Sequence, residues 1–162
     1  MSIINVVGAK IWGGGEQYVY DICKQLQQRH RTAYILVDQS NEDMQSRYAQ
    51  VGHVMTANLY TLKGFLSVNA VAKQVKAQGI DTIVCHSGKY ILFCIALKQL
   101  TGAKLVFIKH NLVPGKTDMY HRWINAQVDA FVCVSKLVYD DLMTPAIKDT
   151  SKYHVVYNGI DP

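Results

Sequence analysis

The chain has 162 residues, 49% of them hydrophobic and 18% charged, with a formal net charge of +5. That length suits one domain and buries about two thirds of the unfolded surface, so no disulfide or metal staple is required. The composition excludes disordered, collagen-like and coiled-coil chains, and the longest apolar run, Tyr90 to Leu97, falls far short of the ~20 residues that span a membrane.

Ser2 to Val7 is a short Ile- and Val-rich run with a glycine behind it, which predicts a buried strand. Gly8 to Gly15 reads as a loop. From Glu16 to Arg29, the residues Val19, Ile22, Cys23 and Leu26 fall at i, i+3, i+4 and i+7, the spacing of a helix. Thr32 to Val37 predicts a second strand, Glu42 to Gln50 a polar helix and Val51 to Thr56 a third strand. Leu62 to Gln78 predicts a helix with Gly79 as its stop. Thr82 to Cys85 is a fourth strand, His86 to Gly88 a turn, and Lys89 to Leu100 an apolar helix ended by Gly102. Lys104 to Lys109 is a fifth strand, His110 to Thr117 a loop, and Asp118 to Ala126 a short helix. Ala130 to Val134 is a sixth strand, Ser135 an N-cap for a helix over Lys136 to Met143, and Tyr153 to Tyr157 a last strand.

Short apolar strands that alternate with helices predict a doubly wound α/β domain: a mainly parallel sheet of about six or seven strands, with helices on both faces. In such sheets ligands bind at the carboxyl ends of the strands. The charge is unevenly spread. Residues 63–122 hold nine basic and two acidic side chains, a net +7, which favours anionic partners: phosphates, nucleic acid or an anionic membrane surface. Cys23, Cys85, Cys94 and Cys133 lie in apolar stretches without a C-x-x-C pair, so buried reduced thiols are expected and a zinc site is not. The start, Met-Ser-Ile-Ile-Asn, has neither the basic residues nor the cleavage site of a signal peptide, and the cytoplasm is the expected compartment.

Gly13-Gly14-Gly15 stands at a strand-to-helix junction, where glycine lets backbone approach a ligand and the helix amides behind it attract an anion. It is not the dinucleotide fingerprint: counted from Gly8 the middle position is Lys10, and counted from Gly13 the last is Tyr18. Nor is it the phosphate-binding lysine loop, since Gly14-Gly15 leads into Glu16.

Gly13-Gly14-Gly15-Glu16 resembles the opening of the first helix in family-4 glycosyltransferases, retaining enzymes of the two-domain GT-B architecture. Asp81 to Ser87 is similar to the family's fourth strand with its closing His. Leu105 to Asn111 resembles its strand-then-His segment, Val128 to Ser135 its Asp-apolar-Ser strand, and Val155 to Asp161 the stretch that closes the N-terminal domain. The resemblance runs over the whole chain. It implies one Rossmann-like, acceptor-side N-terminal domain over residues 1–162. The donor-binding C-terminal domain, with its Glu-x7-Glu motif, would lie outside this chain, whose only glutamates are Glu16 and Glu42. The implied function is the acceptor-binding half of a hexosyltransferase that passes sugar from a nucleotide-sugar to a glycan or lipid-linked acceptor, as in polysaccharide biosynthesis. The half by itself is expected to be inactive.

The resemblance marks His110 as the active-site histidine; imidazole can donate or accept a hydrogen bond near neutral pH. In such retaining transfer the leaving phosphate takes the acceptor's proton, so His110 need not be the base. The substrate-binding candidates are Gly13, Gly14, Gly15, Glu16, His86, Ser87, Lys109, Asn111, Ser135 and Asn158. No metal and no cofactor are expected beyond the nucleotide-sugar co-substrate, and no nucleic acid. Lys109, Lys116 and Arg122 are candidates for an acceptor phosphate or for the inner face of an anionic membrane, which would make the protein peripheral. Two other readings remain at this point. One is an NAD(P)-binding Rossmann domain of an oxidoreductase, with Asp38 on a ribose. The other is a non-catalytic carbohydrate- or lipid-binding module.

Overall fold

The computed structural model describes residues 2–60, 64–143 and 150–157. The strands are β1 (Ile3–Val7), β2 (Tyr34–Asp38), β3 (His53–Ala57), β4 (Thr82–Cys85), β5 (Lys104–Lys109), β6 (Ala130–Cys133) and β7 (Tyr153–Val155). The helices are α1 (Gly14–Gln28), α2 (Glu42–Tyr48), α3 (Gly64–Ala77), α4 (Ile91–Thr101), α5 (Met119–Gln127) and α6 (Lys136–Leu142), and a single 3-10 turn, Gly88–Tyr90, precedes α4. The seven strands form one sheet in the order β3-β2-β1-β4-β5-β6-β7. Every pairing is parallel.

Parallel strands need crossovers, and the crossover helices bury both faces of the sheet. Val19 and Cys23 of α1 and Met44 and Tyr48 of α2 pack on Val7, Ile35 and Val37 on one face. Val68, Val71 and Val75 of α3, Phe93 and Leu97 of α4, Ile124 of α5 and Val138 of α6 join Ile4, Val6, Ile83, Leu105 and Phe107 on the other. Caps mark the helix ends. Asn41, Asp118 and Ser135 accept hydrogen bonds from the backbone N–H groups of Met44, His121 and Val138. Gly102 closes α4 in the left-handed region at φ 74°.

The structure shifts several expected boundaries, and one shift bears on the site. α1 begins at Gly14, two residues before the predicted Glu16. Gly13 is its N-cap, and the Glu16 carboxylate accepts a hydrogen bond from the Gly13 N–H at 3.1 Å, which nucleates the first turn earlier. β3 starts at His53 and not at Val51, because Val51 and Gly52 close the turn after α2 onto the Tyr48 carbonyl. β7 ends at Val155, short of the predicted Tyr157. The first residues of the predicted Leu62 helix lie outside the described residues, as do Asn158 and the end of the chain.

From β1 the chain moves outward through β2 and β3, then crosses to the other side of β1 and moves outward again through β4 to β7. The segments leaving β1 and β4 therefore diverge. They open a crevice at the carboxyl ends of the two central strands, the topological switch point of the sheet.

Candidate functional site

The glycine segment forms one wall of that crevice. Trp12 anchors it: the indole N–H donates to Gln17 at 3.1 Å, and the ring packs against Tyr20 and Tyr48 with the Arg47 guanidinium 4.9 Å above it. The Asn41 amide donates to the Ala9 carbonyl at 3.0 Å, tying the segment after β2 to the one after β1. Gly8 is sealed in, and a Cβ there would stand 2.8 Å from the Tyr60 hydroxyl and 2.9 Å from the Tyr90 ring. A Cβ on Gly14 would meet nothing within 4 Å, so that position faces open space. A Cβ on Gly15 would stand 3.8 Å from the His110 ring. The first turn of α1, whose amides have no partner within the helix, thus begins beside His110.

His86 follows β4 and His110 follows β5, and parallel pairing brings the two rings together. They stack with centroids 5.3 Å apart at 23°, and His86 Nδ1 lies 3.0 Å from His110 Nε2. His86 Nε2 lies 3.0 Å from the amide oxygen of Asn5 on β1. The Tyr18 ring packs edge-on against His110 with centroids 5.2 Å apart. Burial pushes the His86 pKa down to about 3, and the neighbouring His110 adds to the shift. Burial also lowers the His110 pKa. Both rings are therefore neutral at neutral pH, able to donate from one nitrogen and accept at the other.

The other sequence candidates differ in where the fold places them. Gly13, Gly14, Gly15 and Glu16 join His86 and His110 at the crevice, where the Glu16 carboxylate is engaged with the Gly13 N–H. Ser87 and Ser135 stand at strand ends, and their hydroxyls accept from the Lys89 and Val138 N–H groups, capping the turns that follow. Asn111 is exposed on the segment after β5. Lys109 holds its ammonium 4.5 Å from the centre of the Phe107 ring, and burial lowers its pKa. Asn158 lies outside the described residues. Asn5, Trp12 and Asn41 escaped the sequence reading. A lone polar residue within the apolar run at β1 was the available signal for Asn5.

Two cavities flank the histidines. One of about 770 Å³ is lined by Ala9, Lys10, Asp38, Ser40, Asn58 and Tyr60. Asp38 is only 5% exposed, and its carboxylate accepts from the Leu59 N–H at 2.9 Å and from the Ser40 N–H and hydroxyl. It is spent on the loops around it, which argues against the dinucleotide reading. The other cavity, of about 580 Å³, has apolar walls that include Phe107 and Ile124 and carries Lys89, Lys109 and Lys116, with no carboxylate among its described lining residues. The four cysteines are free and buried. Among the described residues no group of His, Cys, Asp or Glu is placed to hold a metal ion, and no helix is long and apolar enough to cross a membrane.

Residues 12–162 match the family described as Glycosyltransferase Family 4. Comparison with curated protein sequences finds no match. Among solved structures, a glycosyltransferase from Rickettsia africae superposes with a TM-score of 0.83 at 19% identity, over 99% of this chain and 43% of that one. Anabaena Alr3699/HepE, solved in complex with UDP-glucose, superposes with a TM-score of 0.74 at 19% identity, over 99% and 44%. MurG of Acinetobacter baumannii gives 0.68 at 13% identity, over 99% and 47%. The chain thus spans less than half the length of these structures.

Proposed function

Because the chain belongs to glycosyltransferase family 4, we propose that it is the acceptor-side, Rossmann-like half of a retaining GT-B glycosyltransferase. In this reading a hexosyl unit passes from a nucleotide-sugar to a glycan or lipid-linked acceptor. The observation that carries the reading is the switch-point crevice, where the glycine-opened start of α1 meets His110 and His86. The complex of a similar fold with UDP-glucose supports a nucleotide-sugar donor.

The bond from the sugar's anomeric carbon to the leaving phosphate breaks, the acceptor oxygen bonds to the same face of that carbon, and its proton passes to the leaving phosphate. His110 orients a sugar or acceptor hydroxyl. The α1 N-terminus, with Gly14 leaving it open, stabilises negative charge. Lys89, Lys109 and Lys116 receive an anionic part of the acceptor.

The test is the isolated chain. The purified 162 residues, assayed with UDP- and GDP-sugars, are expected to give no turnover, because transfer requires both substrates to be held across a cleft. Joined to a donor-binding half, the chain is expected to regain it. Turnover by the chain alone at an ordinary enzyme rate overturns the half-enzyme reading.

A further inference from the structure

Asn5 and Asp38 are the two polar side chains buried in the core among the described residues, and Asn5 is 3% exposed in the middle of β1. An amide in such a place is costly unless it is bonded. Its nitrogen faces the Cys23 sulfur at 3.9 Å, and its oxygen meets His86 Nε2 at 3.0 Å. An amide oxygen can only accept, so His86 Nε2 carries that ring's proton. The neutral ring then has a bare Nδ1, which must accept from His110 Nε2 at 3.0 Å. His110 in turn carries its proton on Nε2 and keeps Nδ1 bare. No described residue bonds that nitrogen, and it is not among the polar atoms sealed from solvent without a partner. His110 stands just past the carboxyl end of β5 and is half-buried. The Tyr18 edge packs on the same ring and holds its plane.

We propose that Asn5 is a positioning residue that sets the proton on both histidines, so that His110 presents an acceptor nitrogen to a ligand hydroxyl. The chain of protons rests on the Asn5, His86 and His110 geometry alone. That the hydroxyl belongs to a sugar or its acceptor rests on the glycosyltransferase reading. Turning the Asn5 amide round would reverse every proton and leave His110 presenting an N–H.

The experiment is long-range proton–nitrogen NMR on the chain with ¹⁵N-labelled histidine at neutral pH. Wild type is expected to show His86 and His110 both protonated at Nε2. Asn5→Asp, whose carboxylate also only accepts, is expected to keep that pattern. Asn5→Leu is expected to leave His110 a mixture of both tautomers. His110 protonated at Nδ1 in wild type, or tautomers unchanged in Asn5→Leu, overturns the proposal. If Asn5→Leu does not fold, wild type and Asn5→Asp still decide it. In the transfer-competent enzyme Asn5→Leu is expected to lower kcat about tenfold or more with KM little changed, and Asn5→Asp to restore it. An unchanged kcat with altered tautomers removes the positioning role. Full transfer by His110→Ala alongside the expected tautomers overturns the glycosyltransferase role of His110 and leaves the proton assignment standing.

Discussion

The His86 imidazole lies between Asn5 and His110 with its pKa pushed from 6.5 down to about 3, chiefly by burial. A base whose folded pKa is depressed takes up its proton in the unfolded chain first. Below about pH 6.5 the unfolded state binds a proton that the folded state refuses, so stability falls with pH until about 3. One such proton corresponds to a slope approaching 1.4 kcal/mol per pH unit, and the lowered pKa of His110 acts in the same direction. Urea unfolding of wild type and His86→Gln between neutral pH and acid separates this from the carboxylates that both proteins share. The variant is expected to lose stability less steeply, by up to one proton. Equal slopes would mean that His86 takes up its proton in the folded state as readily as in the unfolded one.

The start of α1 joins the glycine segment to the histidines, and its glycines differ in what they tolerate. Gly14 has open space where a Cβ would go, whereas Gly8 is pressed between Tyr60 and the buried Tyr90. Gly14→Val is therefore expected to change thermal stability little, since exposed substitutions fall within about 0.5 kcal/mol, and to abolish transfer in the competent enzyme by filling the crevice. Gly8→Ala is expected to destabilise by about 1–3 kcal/mol, the cost of forcing extra volume into a packed site. Thermal melts and a transfer assay on the two variants check this contrast. A fully active Gly14→Val would show that the opening of α1 does not approach the substrates.

Across the molecule, the carboxyl end of the sheet carries an apolar and basic surface around the segment after β5. Leu112, Val113, Met119, Tyr120 and Trp123 are exposed there, and Met119 reaches 87%. Lys116 and Arg122 lie among them, with Lys109 just behind. Basic residues near an anionic lipid surface contribute about 1 kcal/mol each, and exposed aromatic and aliphatic side chains insert at the headgroup boundary. A lipid-linked acceptor, one of the two in the proposed function, therefore predicts salt-sensitive binding to anionic vesicles. Replacing Lys109, Lys116 and Arg122 together by Gln is expected to weaken binding without unfolding the chain. Co-sedimentation with anionic and neutral vesicles at low and high salt measures it. Wild-type chain left in the supernatant with anionic vesicles at low salt restricts the acceptor to a soluble glycan.

The alternation of short apolar runs with helical spacing was enough to determine a doubly wound parallel sheet. Burial on both faces and the crossover helices leave their pattern in local sequence, as in Ile3–Val7 and Thr82–Cys85. The order of motifs from Gly13-Gly14-Gly15-Glu16 to Val155–Asp161 was likewise enough to point to the family, which the match over residues 12–162 bears out. Boundaries were less legible: Gly14 and Gly15 read as loop because glycine has poor intrinsic helix propensity, and the Glu16 carboxylate bonded to the Gly13 N–H overrides it. The meeting of Asn5, His86 and His110 was decided only by the tertiary structure. These residues lie 81 and 24 positions apart along the chain, and only parallel pairing of β1, β4 and β5 sets them side by side. Local sequence encodes which face of a strand is buried; which strand ends become neighbours depends on the sheet order that the whole chain adopts.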